Sequence, residues 1–238
     1  MGFKQPLFFT LGGSFLKTNL KGNYISIIAK RLYSDSGVKG INNNDSGLEP
    51  LLKDILVGVL LGDGWLEKPK VNARFRFEQS DERKDFFFHL YSFLANFCHS
   101  APKLRNRLDK RTKKIYLTWH FSTKCDPLFT EIYNLFYVER KKVVPGNIID
   151  LIGPAGLAHW IMCDGWRHNK GITLATNAFS IAENELLIEA LNTKFELNCR
   201  LIKDHSYPSI HIPFTSLSKL QSLVVPYMHN SLLYKISL

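Results

Sequence analysis

The chain repeats itself, and that repeat limits its architecture more than any other feature of the sequence. Residues Asp54–Trp65 read DILVGVLLGDGW, and residues Gly156–Trp166 read GLAHWIMCDGW. Both are apolar runs carrying small residues, and both pass directly into Asp-Gly-Trp. The correspondence continues downstream: Cys98 follows Asp63 by 35 residues (98 − 63), and Cys199 follows Asp164 by 35 (199 − 164). Each cysteine closes an amphipathic helix candidate, Asp85–Cys98 in the first copy and Ile181–Cys199 in the second. A shared signature at a shared distance predicts an internal duplication, and hence two similar halves about a pseudo-twofold axis.

Between the signatures the periodicity becomes strand-like. Val71–Gln79 alternates strictly, with Val71, Ala73, Phe75 and Phe77 on one face and Asn72, Arg74, Arg76 and Glu78 on the other. A period of two marks a half-buried strand. Lys114–Phe121 alternates again, with Ile115, Leu117, Trp119 and Phe121 expected inward and Lys114, Tyr116, Thr118 and His120 outward. The second copy offers Ile172–Asn177 and Ser209–Phe214, where Ile210, Ile212 and Phe214 alternate with Ser209 and His211. Apolar residues at helical spacing, such as Phe86, Leu90, Phe93, Leu94 and Phe97, place helices between the strands. Helix, strands, helix, strands, helix, made twice, is an α+β fold with one repeat over residues 48–150 and a second over 151–238.

Residues 1–47 stand apart as a basic leader and flexible linker. From Met1 to Ser34 there is no acid, but Lys4, Lys17, Lys21, Lys30 and Arg31 are present, and Arg31–Ser34 resembles a matrix-protease cleavage site. This composition fits a mitochondrial transit peptide. It fits equally a leader translated from upstream sequence within an organellar intron. Both origins point to an organelle, the mitochondrial matrix ahead of a plastid. The Asn/Ser/Gly-rich stretch Ser34–Gly47 reads as the linker.

Charge narrows the partners. With 31 Lys and Arg against 21 Asp and Glu, the net charge is +10, which favours a polyanion. No stretch reaches the roughly 18 apolar residues of a membrane span, so nucleic acid rather than a membrane is expected. Cys98, Cys125, Cys163 and Cys199 form no CxxC pair, which excludes a zinc ribbon. They are expected to be reduced and mostly buried.

The signature helices have a particular chemistry. Gly58 and Gly62 share a face, and small residues Ala155, Ala158 and Cys163 lie near the matching face of the second copy. Such faces let two backbones approach closely. Each helix would stop at Asp-Gly, placing Asp63 and Asp164 at the foot of one seam. A carboxylate at a helix C-terminus faces the negative end of the macrodipole, at a cost of about 0.3–1 kcal/mol. Two of them side by side repel each other. Divalent cations would reverse that sign, because Mg²⁺ favours carboxylate oxygens combined with phosphate and water.

These residues resemble the LAGLIDADG homing endonuclease family. Leu56–Gly64 and Leu157–Gly165 align with its nine-residue signature position by position, and the likeness extends over residues 51–238, with a second motif like that of the single-chain, two-repeat branch of mitochondrial introns. The resemblance implies that Asp63 and Asp164 are the catalytic acids. Gly62 and Cys163 would join them at the metal positions, with two or more divalent ions, Mg²⁺, as cofactor. It implies basic residues near the cleaved phosphates at Lys142 and Lys235, which could position water or stabilise developing charge. Glu78 or Gln79, and Thr176 or Asn177, fall where the family places polar residues on metal-bound water. Two departures stand out: Leu61 and Met162 occupy the position of the family's first Asp, and His159 replaces a Gly and could loosen the seam.

The resemblance further implies αββαββα repeats whose two antiparallel sheets form a saddle over double-stranded DNA. The residues agree: Asn72, Arg74 and Arg76 could read bases. Seven basic residues, Lys103, Arg105, Arg107, Lys110, Arg111, Lys113 and Lys114, against the single acid Asp109, suit a hairpin on phosphates. His211, Thr176 and Asn177 are the candidates of the second half. One chain with two unlike halves predicts a monomer on a non-palindromic target. Three functions stay open: an endonuclease spreading its intron, a maturase assisting the splicing of intron RNA, and a DNA-binding regulator without catalysis. Retention of both acids favours the first.

Overall fold

The duplication sets the order of elements. The computed structural model describes residues 48–204 and 207–236, so the leader and linker expected over residues 1–47 lie outside it. The first repeat runs α1 (Pro50–Leu61), β1 (Trp65–Glu67), β2 (Arg74–Ser80), α2 (Lys84–Leu94), β3 (Lys103–Leu108), β4 (Ile115–Ser122) and α3 (Pro127–Phe136). A hairpin of β5 (Tyr137–Val138) and β6 (Lys141–Lys142) and a single turn α4 (Ile148–Leu151) lead to the second. There α5 (Pro154–Asp164), β7 (Gly165–His168), β8 (Gly171–Ala175), α6 (Ile181–Phe195), β9 (Arg200–Asp204), β10 (Tyr207–Ile212) and α7 (Leu217–Val224) follow in the same succession. Proline opens α1, α3 and α5, where its missing N–H costs nothing.

Each repeat builds one antiparallel sheet, and both have the same strand order: β1-β2-β4-β3 and β7-β8-β10-β9. This is the α+β architecture expected, αββαββα made twice. One face of the first sheet carries Phe75, Phe77 and Phe121 into the core against Phe86 and Phe87 of α2. The second buries Ile172, Leu174, Ile210 and Ile212. Among the described residues no helix is long and apolar enough to cross a membrane.

α1 and α5 are buried along nearly their whole length and pack backbone to backbone. A Cβ on Gly58 would stand 1.8 Å from the Gly156 carbonyl oxygen, and one on Gly62 would stand 2.5 Å from Cys163 Cβ. The small-residue pattern points to Ala155, Ala158 and Cys163, but the closest approach falls at Gly156. The seam is also locked by a charge. Asp54 of α1 accepts a hydrogen bond from Gly153 N at 2.6 Å, occupying the N-terminus of α5, where a carboxylate is favoured.

His159 does not loosen this seam. Its ring is buried against α2, stacked on His89 at 5.8 Å between centroids and 11° between planes. Its Nδ1 is 2.8 Å from Ala155 O, while Nε2 of both His159 and His89 has no hydrogen-bond partner among the described residues. Burial brings the pKa of His159 down to about 3 and that of His89, helped by neighbouring His229, to about 4. Unfolding returns both to near ~6.5, so the unfolded chain binds protons first as pH falls. Stability should therefore drop below pH ~6.5 by up to about 1.4 kcal/mol per pH unit for each histidine. Urea midpoints at about pH 7 and pH 5 check this. The raised Asp164 carboxyl works the other way over the same range, so the clean readout is a difference. His159→Phe should flatten the slope by up to about 1.4 kcal/mol per pH unit relative to wild type, and an unchanged pH slope would contradict the assignment.

Several alternations end sooner than their pattern suggests. Val71, expected inward, is 78% exposed, because β2 begins at Arg74. Asn72 also precedes the strand, and its Oδ1 accepts from Thr130 Oγ1 at 3.4 Å. Ile115 and Leu117 are exposed although they alternate with polar residues, because the β3–β4 hairpin extends past the helices that cover Trp119 and Phe121. Phe214 is exposed in a 3₁₀ turn beyond β10. Ser209 and His211 are buried rather than outward. All four cysteines are free: Cys163 and Cys199 are buried, Cys98 is half-buried and Cys125 is exposed.

Candidate active site

The two signature helices end side by side. α1 stops at Leu61, and Asp63 lies in the turn closed by Gly64 N bonding Val59 O at 2.8 Å. Asp164 is the last residue of α5. The glycine after each acid serves space rather than a left-handed turn. A Cβ on Gly64 would meet Val59 Cγ1 at 2.7 Å and Phe75 Cε2 at 2.9 Å. Gly165 has φ −85°, and its Cβ would stand 2.7 Å from Ile161 O.

The acids are thereby brought together. Asp164 Oδ2 lies 3.3 Å from where a Cβ on Gly62 would be, one residue from Asp63. Burial, reinforced by the Asp63 charge, pushes the Asp164 carboxyl up to about 7, against the pull of Lys235, Lys142 and Arg83. Gln79 Nε2 donates to Asp63 Oδ2 at 2.6 Å. Among the described residues nothing hydrogen-bonds the Asp164 carboxylate.

Lys142 and Lys235 take matching places in the two repeats. Lys142 Nζ donates to Leu60 O, Gly62 O and Gly64 O at 2.9, 3.3 and 2.7 Å. Lys235 Nζ donates to Ile161 O, Met162 O and Cys163 O at 3.2, 2.7 and 3.2 Å. Each spends all three ammonium protons on the carbonyl end of a signature helix, which offsets the dipole penalty that the neighbouring acid incurs. Burial lowers the pKa of both, that of Lys235 to about 8. Each ammonium group is thus held against the carbonyls of the turn that carries an acid.

Arg83 is the third cation of the site, and sequence pattern gave no sign of it. It follows β2 in a 3₁₀ turn, and its Nη1 donates to Cys163 O at 3.3 Å across the seam. The second repeat does not copy this support. By sheet register Thr176 corresponds to Gln79, but it is buried and its hydroxyl donates to Pro208 O at 3.3 Å. Asn177 is exposed in the following turn. Among the described residues neither Thr176 nor Asn177 hydrogen-bonds an acid. Glu78 faces away from them, 3.9 Å from Arg105 on the open face of the sheet.

Two converging carboxylates, one with no hydrogen-bond donor among the described residues, fit a hard divalent cation such as Mg²⁺. Among the described residues no cluster of three or more His, Cys, Asp or Glu side chains could hold a metal, so further ligands would come from carbonyls, water or phosphate. The Gly62 and Cys163 carbonyls border the site, each already accepting from Lys142 or from Lys235 and Arg83.

The open face of the first sheet is cationic. Register places Arg74, Arg76, Glu78, Lys103, Arg105 and Arg107 on the face opposite the core, among Tyr116, Thr118 and His120. Lys113 and Lys114 lie in the hairpin turn, Lys113 with φ 58°, rather than in β4. The lone acid of this run shapes the hairpin tip, where Asp109 Oδ1 accepts from Arg111 N at 2.8 Å and Thr112 N at 3.1 Å. In the second sheet, His211 is buried with Nδ1 3.1 Å from Thr173 Oγ1.

Comparison with known proteins agrees with this arrangement. The protein is similar to "Probable intron-encoded endonuclease 1" of Wickerhamomyces canadensis, 29% identical over 207 residues, covering 84% of this chain and 89% of that one. It is 31% identical over 216 residues to "Cytochrome b mRNA maturase bI2" of Saccharomyces cerevisiae, covering 83% of this chain and half of the maturase. Its structure superposes on the homing endonuclease I-WcaI bound to its DNA recognition sequence with a TM-score of 0.75 and 28% identity, covering 83% of this chain and 95% of the other. The family model for LAGLIDADG DNA endonucleases matches residues 53–220. With the duplicated signature, the adjoining acids and this match in agreement, the chain belongs to the LAGLIDADG DNA endonuclease family.

Proposed function

We propose that the protein is a site-specific homing endonuclease. It would hydrolyse one phosphodiester in each strand of a long asymmetric DNA target and so promote mobility of its intron. The observation that carries this reading is the convergence of Asp63 and Asp164 at the ends of α1 and α5, where burial and mutual repulsion raise Asp164 to about 7. In this reading Asp63 and Asp164 hold two or more divalent ions, Mg²⁺ foremost. Such ions supply charge neutralisation at the scissile phosphate and an acidified water. Lys142 and Lys235 keep the acid-bearing turns in place, Gln79 orients Asp63, and Arg83 offsets negative charge between the repeats. The protein acts as a monomer in the mitochondrial matrix, its repeats over 48–150 and 151–238 covering unlike half-sites.

The test is incubation of the purified chain with a plasmid carrying the intronless host junction, in Mg²⁺, in Ca²⁺ and in EDTA. Linear product in Mg²⁺ alone is expected. Intact plasmid at every candidate junction, with intron RNA retained tightly, would instead favour a maturase, the reading suggested by likeness to the bI2 maturase.

Binding should also depend steeply on salt. Arg105 and Arg107 are exposed on the open face of the first sheet, suited to phosphates. Arg105→Ala/Arg107→Ala should weaken binding to all duplexes about evenly and reduce the slope of log K against log [salt] by about 2. Affinity measured across a salt series checks this, and an unchanged slope would place these residues off the DNA.

A further inference from the structure

The first sheet carries a side-chain clamp that the second lacks. In the pairing of β1 with β2, Trp65 lies opposite Arg76 and Glu67 opposite Arg74. Glu67 Oε1 accepts from Nε and Nη2 of Arg74, and its Oε2 accepts from Arg76 Nη1 at 3.0 Å. The Arg76 guanidinium also lies over the Trp65 ring, 5.6 Å from its centroid. Partial burial works to raise the Glu67 carboxyl, but hydrogen bonds from Arg76 and Arg74 outweigh it and hold it below its ordinary range.

The two arginines emerge unequal. Arg74 spends its Nε–Nη2 edge, which can grip two acceptors at once, on Glu67. Arg76 spends only Nη1 there. Among the described residues it has no other hydrogen-bond partner, and its Nε–Nη2 edge stays available on the cationic face. Ion pairing and ring stacking already restrict the Arg76 side chain, so it has less rotamer freedom to lose on binding. Guanine presents O6 and N7 together in the major groove, and a bidentate guanidinium matches that pair.

Register identifies the corresponding positions of the second sheet. Trp166 lies opposite Thr173, and His168 opposite Gly171, so Arg76, Glu67 and Arg74 are answered by Thr173, His168 and Gly171. No guanidinium stands there. Thr173 is buried, its hydroxyl 3.4 Å from His168 Nδ1 and 3.1 Å from His211 Nδ1.

We infer that Arg76, held by Glu67 and Trp65, reads one guanine in the half-site under the first repeat. The base pair related to it by the pseudo-twofold axis is not read as guanine, and Arg74 and Glu67 are positioning residues. This rests on the sequence-specific DNA recognition proposed above.

The experiment exposes the full chain to randomised DNA duplexes in EDTA and sequences the bound fraction. The wild type should enrich one consensus. Arg76→Ala and Arg76→Lys should enrich the same consensus except at one position, where preference for guanine falls by about 5- to 150-fold. The lysine variant keeps the charge and should retain more total affinity than the alanine variant. Glu67→Gln should shrink that same preference and leave the other positions alone. An even loss of affinity in Arg76→Ala with every base preference intact would overturn the inference, as would loss of the guanine in Arg74→Ala but not in Arg76→Ala. If the wild type enriches no sequence, specific recognition itself fails and the inference with it.

Discussion

Asp63→Asn and Asp164→Asn are each expected to lower plasmid cleavage by about three orders of magnitude while leaving duplex affinity in Ca²⁺ or EDTA at least as high as that of the wild type. Asparagine keeps the shape of each turn but removes a charge that a divalent cation requires. Affinity should not suffer, because the lost charge repels phosphate. The two variants should differ in stability. Asp164 has a raised pKa because its ionised form is disfavoured in the folded protein, chiefly by burial and then by Asp63. At a pH above that value, asparagine removes a cost that the native fold bears. Discounted for its partial exposure, Asp164→Asn should be about 1–2 kcal/mol more stable than wild type in EDTA. Cleavage assays and urea titrations of the same preparations check both statements. Cutting at wild-type rate by either variant would remove the acids from the mechanism. An inactive Asp164→Asn that is also less stable would show that the acid is structural.

Much of this site is legible in the sequence, and the reason is physical. Asp63 and Asp164 follow apolar segments that repeat, and nothing about packing demands an acid at the end of a buried helix. Resemblance alone places Lys142 and Lys235 near the acids, and their carbonyl partners are not part of that expectation. A lysine beside an acid can serve phosphate or helix carbonyls equally well, and only geometry shows Nζ with three carbonyl partners in each case. Arg83 and Asp54 are invisible in the sequence for a related reason. Each acts across the seam on the other repeat, at Cys163 O and at Gly153 N respectively, and such contacts leave no periodic trace.

The sheets are half legible. β2 and β4 have one covered face along much of their length, so their apolar residues alternate, whereas β8 and β10 alternate in sequence although residues of both faces are buried. β1 has three residues, too few to show a period, and every residue of β3 is exposed, so no apolar face marks it. The same exposure misleads for Ile115 and Leu117, whose alternation is genuine but whose hairpin has left the core. Polar residues of the second sheet, Thr173 and His211 above all, are buried against each other. A reading that equates polar with outward fails there.

Gly58→Ala should be among the most damaging single changes in the molecule, although it adds one methyl group. That carbon would stand 1.8 Å from Gly156 O and 2.5 Å from Gly156 C. Both atoms belong to backbone, so no rotamer can yield and the two helices must part. Overpacking with side-chain relief costs about 1–3 kcal/mol; without relief the expected loss is about 3–5 kcal/mol, a large share of a typical total. Gly62→Ala is the informative contrast. Its new carbon would meet Cys163 Cβ at 2.5 Å, a side-chain atom, so Gly62→Ala combined with Cys163→Gly should recover much of the lost stability. No equivalent rescue exists at Gly58, because its partner Gly156 has no side chain to remove. Parting the helices would also separate Asp63 from Asp164, so residual folded Gly58→Ala should cut poorly yet still bind duplex through sheets it leaves intact. Urea midpoints of the three variants decide the matter. A Gly58→Ala protein as stable as wild type would mean that α1 and α5 are not in backbone contact, and the shared site for the two acids would go with it.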